Sequence, residues 1–234
     1  MTFTASGVTA SYRRGQHVVT DVSLTVVPGE FALILGHNGA GKTTLLNALY
    51  GTRRLDSGSV SIDGTVLATG TGSRIQRGIA FVPSEGAVIP GLTVHENLVV
   101  AATAVPGRRR REWQPLITEA LAWFPDLEAK LDARGRTLSG GQRRMLAIAM
   151  ALTQSPSYLL MDEPSLGLAP QIVDDVFSKL AELRSTLGMA TIVVEQTARP
   201  TLLAADQIHV IRGGKQAFHG DRAAFDAHDL WELL

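Results

Sequence analysis

The segment Gly36-His37-Asn38-Gly39-Ala40-Gly41-Lys42-Thr43, continued by Thr44, restricts the fold of this chain more than any other. It follows Phe31–Leu35, five apolar residues in a row, the pattern of a strand covered on both faces. It leads into Lys42–Tyr50, a helical stretch that stops at Gly51. A buried strand, a glycine-rich turn and a helix in that order require an α/β core. Glycines let successive backbone N–H groups turn inward around phosphate oxygens. The helix that follows adds the positive end of its dipole. At this spacing Lys42 reaches β- and γ-phosphates, and the Thr43 hydroxyl can ligate Mg²⁺. The plainer alternative, a glycine-rich turn that contains a lysine, leaves the strand before it and the helix after it unexplained. Gly36–Thr44 is read as a nucleotide-binding loop.

Composition removes other classes. The chain has 234 residues, 45% of them hydrophobic and 19% charged, which excludes a disordered polymer. Lys plus Arg is 22 and Asp plus Glu is 22, so net charge is zero and a nucleic-acid coat is not expected. There is no cysteine, which excludes disulfide scaffolds, iron–sulfur clusters and thiol catalysis. No apolar run approaches the roughly 18 residues needed to span a bilayer. The first residues, MTFTASGVTASYRRGQ, lack a signal peptide's apolar centre. The expectation is a soluble, cytoplasmic, globular protein.

Along the chain, the texture changes twice. Val18–Val26 is a β-branched stretch that ends at Pro28-Gly29. Ser59–Ile62 and Val66-Leu67 flank Asp63-Gly64, a hairpin signal, and Ile79–Val82 is a strand that Pro83 ends. Helix signals then take over as far as Pro156. Thr93 and Glu96 form a capping box ahead of Asn97–Ala104; Ser139 and Gln142 form another ahead of Arg143–Thr153. Between them lie the basic run Arg108–Arg111 and a helix around Trp113–Phe124. Afterwards Tyr158–Met161 and Thr191–Val194 read as strands around a Pro170–Leu187 helix. Ile208–Ile211 and Lys215–Phe218 read as a hairpin about Gly213-Gly214.

The strand at Tyr158–Met161 runs directly into Asp162-Glu163. Open α/β sheets bind ligands beyond the carboxyl ends of their strands. Asp162 is therefore read as holding Mg²⁺ through water, and Glu163 as polarising an attacking water. Taken alone, such a pair more often caps a helix. Its partnership with the phosphate loop reverses that weighting.

Leu138-Ser139-Gly140-Gly141-Gln142, upstream of the acid pair, resembles the signature of ABC-type ATPases, and the likeness extends over nearly the whole chain. The string also caps a helix unaided, and a capped helix with glycines at its start still offers N–H groups to an anion. The resemblance implies a P-loop NTPase core in one domain, residues 1–83 and 157–234, with an N-terminal antiparallel β region and a mainly helical insertion at 84–156. It implies that Tyr12 stacks on adenine, that Ser139–Gln142 faces ATP held by a second subunit, and that Glu195-Gln196 stands at the switch position. Two departures from the general pattern occur. Ser84-Glu85-Gly86 follows Val82-Pro83 where general members place Gln, which leaves Glu85 as a candidate Mg²⁺ contact. Gln196 stands where they carry His, and the resemblance implies a catalytic role in which its amide, like that histidine, donates to the γ-phosphate. That glutamine, with Glu163–Pro170, is similar to the ATPase subunits of branched-chain amino acid importers and their urea or amide relatives.

The likeness implies an ATP- and Mg²⁺-dependent hydrolase that energises import through separate permease chains. It would act as a homo- or heterodimer at the cytoplasmic membrane face, fed indirectly by a solute-binding protein. An ABC-type ATPase acting on nucleic acid or ribosomes is the alternative, though such proteins usually carry two cassettes or basic insertions. A P-loop kinase would have no use for Leu138–Gln142. Arg108–Arg111 is read as a solvated face, Trp113, Trp123 and Phe124 as helix packing, and His37 as pointing away from ligand without catalytic work. The six histidines suggest no metal cluster.

Overall fold

The computed structural model describes residues 1–13, 16–109, 112–196 and 205–228. Two sheets form. The first is antiparallel, in the order β2-β1-β4-β5, from β1 (Phe3–Arg13), β2 (Gln16–Val26), β4 (Ser57–Ile62) and β5 (Thr65–Val66). The second has six strands in the order β10-β9-β3-β8-β7-β6. It comprises β3 (Phe31–Leu35), β6 (Ile79–Val82), β7 (Tyr158–Asp162), β8 (Ala190–Glu195), β9 (Gln207–Arg212) and β10 (Lys215–Gly220). Every pairing in it is parallel except the β9–β10 hairpin.

Covering both faces of the parallel sheet makes β3, β7 and β8 buried at every residue. Successive side chains still alternate between two cores. Phe31, Leu33, Leu35, Leu159, Met161 and Val193 pack on the face shared with α6 (Gly140–Leu152) and α7 (Pro170–Leu187). Ala32, Ile34, Tyr158, Leu160, Ile192 and Val194 pack on the other face, against α1 (Lys42–Tyr50) and the antiparallel sheet. Each fully buried Leu or Ile contributes on the order of 1.5–3 kcal/mol. The alternation also decides where the strand-end residues point: Asp162 falls on the α1 face and Glu195 on the α6 face.

Between β6 and β7 the described elements are helical. They are α3 (Val94–Thr103), α4 (Trp113–Ala122), the single turn α5 (Pro125–Glu128), a 3₁₀ turn at Gly135–Thr137, and α6. Both expected capping boxes are present with reciprocal bonds. Arg108 turns inward to donate to Thr153 O at 2.7 Å, at the end of α6; Arg110 and Arg111 lie outside the described residues. The Asp63-Gly64 turn has both residues at positive φ, 48° and 77°, as a tight hairpin requires.

Two elements escape the pattern argument. The short helix α2 (Thr71–Gln76) carries few apolar residues. Strand β1 buries Phe3 and Ala5, then Val8 and Ala10, so its alternation changes phase at a bulge around Gly7, whose φ is 57°. No helix among the described residues is long and apolar enough to cross a membrane.

Candidate active site

The ends of β3, β7 and β8 converge on the start of α1. Gly41 precedes that helix at φ 103°, and a Cβ there would approach Val18 O within 2.8 Å. No side chain caps α1, so its first N–H groups keep their capacity for an anion. Tyr12, Asn38, Gly39, Lys42, Thr43, Thr44 and Glu163 line a cavity of about 230 Å³ beside it, together with Val18 and Gly41.

Lys42 is 4% exposed. Its ammonium donates to the carbonyls of Gly36, at 2.7 Å, and His37, at 3.1 Å, and lies 3.6 Å from Glu163 Oε1. Burial pulls its pKa below the ordinary lysine value; the nearby Glu163, Asp162 and Glu195 carboxylates oppose that. Thr43 donates through Oγ1 to Asp162 Oδ1 at 3.2 Å. Burial raises the Asp162 carboxyl above its usual range, against the Thr43 bond. Magnesium takes oxygen ligands, and Thr43 and Asp162 are oxygen donors that the fold brings together, so these residues fit that ion.

Glu163 has φ 44°, an unusual conformation for a residue with a long side chain. A continuing strand would send its side chain to the face opposite Asp162. The left-handed turn breaks that alternation and brings the carboxylate towards Lys42. Such a conformation costs about 1–2 kcal/mol, and here the residue that bears it is polar, only partly buried and in the cavity wall. Gln196 Nε2 donates to both carboxylate oxygens, each at 2.9 Å. No helix follows Asp162-Glu163 until α7, so the pair is not a helix cap.

Two groups here have partners that the motifs do not reveal. Glu195 is 2% exposed, and its Oε1 accepts the Ser165 N–H at 2.8 Å, which holds the loop after the acid pair. Burial raises its pKa. Arg144, buried on α6, donates to carbonyls at the ends of β6 and β7. Alternation along β8 and the helical period of α6 could have placed both inward, but not their partners.

The structure does not gather every predicted residue. Tyr12 is 70% exposed at the cavity edge, with the Arg53 guanidinium 4.2 Å from its ring centroid, so one ring face is already covered. The His37 side chain is exposed, and Gly36 and Ala40 are buried behind the loop. Glu85 is exposed and does not line the cavity. Ser139, Gly141 and Gln142 line a separate cavity of about 510 Å³ with Trp123, Ile172 and Lys179. Within one chain they do not reach the phosphate loop's cavity.

Comparison with known proteins gives the family and the fold. Residues 19–166 match the ABC transporter family. The chain is 40% identical to the high-affinity branched-chain amino acid transport ATP-binding protein BraG of Pseudomonas aeruginosa, over 87% of this chain and 86% of that one. It is 36% identical to the lipopolysaccharide export system ATP-binding protein LptB of Haemophilus influenzae, over 91% of this chain and 87% of the relative. A solved nucleotide-free ATP-binding cassette from an ABC transporter superposes with a TM-score of 0.87 at 24% identity, covering 99% of this chain and 97% of that one, which supports the fold. With an uncapped phosphate-loop helix and strand-end carboxylates in place, the chain belongs to the ABC transporter family, as an ATP-binding and ATP-hydrolysing subunit.

Proposed function

We propose that this chain energises import of branched-chain amino acids or related small polar solutes, paired with a second ATPase subunit beneath separate permease chains at the cytoplasmic membrane face. The observation that carries the catalytic half is the Glu163 carboxylate, held by Gln196 beside Lys42. Lys42 and the loop N–H groups bind and orient the phosphates. Glu163 positions the attacking water and takes up its proton as the Pγ–O bond to the leaving ADP breaks. Thr43 and Asp162 would hold Mg²⁺. That ion, when bound, offsets charge on the β- and γ-phosphate oxygens.

Gln196 contributes through Glu163. A histidine there could titrate near neutral pH, whereas an amide holds the carboxylate without a charge change. The transport half rests on the likeness to BraG and on Gln196 with the Glu163–Pro170 string; LptB, nearly as similar, serves a different cargo. The helices between residues 84 and 156 are the proposed contact with permease loops, and a solute-binding protein would act through those permeases. Reconstitution with the neighbouring permeases decides the cargo. Leucine-loaded binding protein should raise ATP hydrolysis, whereas stimulation by lipopolysaccharide instead would assign the chain to export.

A further inference from the structure

Arg144 sits in α6, one turn after the Ser139 cap, yet its side chain leaves the helical region. It is 6% exposed. Its guanidinium donates to Pro83 O at 3.2 Å, Ser84 O at 2.9 Å and Glu163 O at 3.4 Å. Among the described residues no carboxylate forms an ion pair with it; Asp162 and Glu195 act on it from farther away. Burying a guanidinium without a paired anion is costly, and a methionine of similar length would fill the space at lower cost. What only arginine offers is a rigid fork of five donors that fixes several acceptors at once. Those acceptors lie just past the ends of two adjacent strands, β6 and β7. Ser84 begins the loop after β6. The Glu163 carbonyl belongs to the residue at φ 44°, and relaxation of that backbone would swing the carbonyl away from the fork.

We propose that Arg144 is a positioning residue for hydrolysis, locking the Glu163 backbone and the Ser84 loop in register with α6. The same helix carries Ser139–Gln142 at its start, so a shift of that loop is transmitted over about one turn to the residue that aims Glu163. The inference rests on Glu163 being the group that orients water.

The test is a double-mutant cycle on the full chain under single-turnover conditions, with rates normalised to sites titrated by a fluorescent ATP analogue. Arg144→Met should lower the rate about 10- to 100-fold, the scale of a small misplacement of a reacting group, with analogue affinity within about threefold of the parent. Arg144→Gln, which keeps two N–H donors, should regain part of it. In a Glu163→Gln background, Arg144→Met should cost less than about twofold more, because it acts through the group already removed. A parental rate for Arg144→Met beside a crippled Glu163→Gln overturns the proposal alone. So does the full Arg144→Met loss recurring in the Glu163→Gln background. Loss of analogue binding in both Arg144 variants makes the residue structural and equally overturns it. If Glu163→Gln itself keeps the parental rate, the reading of Glu163 fails and the inference falls with it.

Discussion

Gly36–Thr44 and Ser139–Gln142 both place glycines at the start of a helix, where four N–H groups lack helical partners, and they finish in opposite ways. The first helix start has no side-chain cap and is surrounded by Lys42, Thr43, Asp162 and Glu163. The second closes on itself: Ser139 Oγ accepts the Gln142 N–H at 3.2 Å, and Gln142 Oε1 accepts the Ser139 N–H at 3.0 Å. Its glycines also have a packing reason, since a Cβ at Gly141 would come within 2.7 Å of Ile172 Cγ2. One region therefore leaves its helix start open beside a cavity formed within a single chain. The other is stable local structure whose chemistry, under the proposed pairing, is completed by a second copy.

The sharpest way to break that contrast is Ser139→Arg. If Ser139–Gln142 completes a site on another subunit, the variant should lose hydrolysis entirely while binding ATP as the parent does. Specific activity of the parent should rise with protein concentration. Constant specific activity across a wide dilution series, from a monomer, would return Ser139–Gln142 to a purely structural role.

Glu163→Gln comes next in size and tests the first region. The amide keeps the shape but cannot accept a proton, so turnover should fall about 10²-fold or more with ATP binding retained. Near-parental hydrolysis would remove Glu163 from the chemistry. Gln196→Ala should cost less, on the order of 10-fold, because the structure shows its amide supporting a carboxylate that Lys42 also contacts. Gln196→His keeps a donor and should retain most activity. Activity of Gln196→Ala within about twofold of the parent would mean that Glu163 needs no such support.

The strand–loop–helix around Gly36–Thr44, the strand that ends at Asp162 and both capping boxes are legible because each is a local pattern with a fixed spacing. Phe31–Leu35 could be identified as a central strand because its five residues are all apolar. Strand β1 was not, since the bulge at Gly7 shifts its alternation and half its residues are small. The position of Glu85 after Val82-Pro83 suggests a metal contact, but in the structure its side chain is exposed and outside the cavity. Position along the chain says nothing about which way a loop side chain turns. For the same reason the left-handed Glu163, the Glu195–Ser165 bond and the three acceptors of Arg144 were invisible: each depends on elements distant in sequence meeting at the strand ends.

The smallest expected effect concerns stability. Burial raises the Asp162 carboxyl above its ordinary 3.8, so folding favours its protonated form. That preference costs nothing below the unfolded value; it grows as pH rises through the folded value and is constant above it. Asp162→Asn removes the cost while its Oδ1 can still accept the Thr43 hydroxyl. Without nucleotide or Mg²⁺, the variant should therefore melt higher than the parent at pH 7.5, by ~2–4 °C for each kcal/mol gained in a chain of this size. The difference should shrink as pH falls towards 4. Adding Mg²⁺ and ATP should reverse the order, because ligand that binds the folded parent more tightly stabilises it by mass action. Melting curves across that pH range, with and without ligands, provide the check. A lower ligand-free Tm for the variant at pH 7.5 would show that Asp162 stabilises the fold, and that the first region, like the second, is held together by its own local bonds.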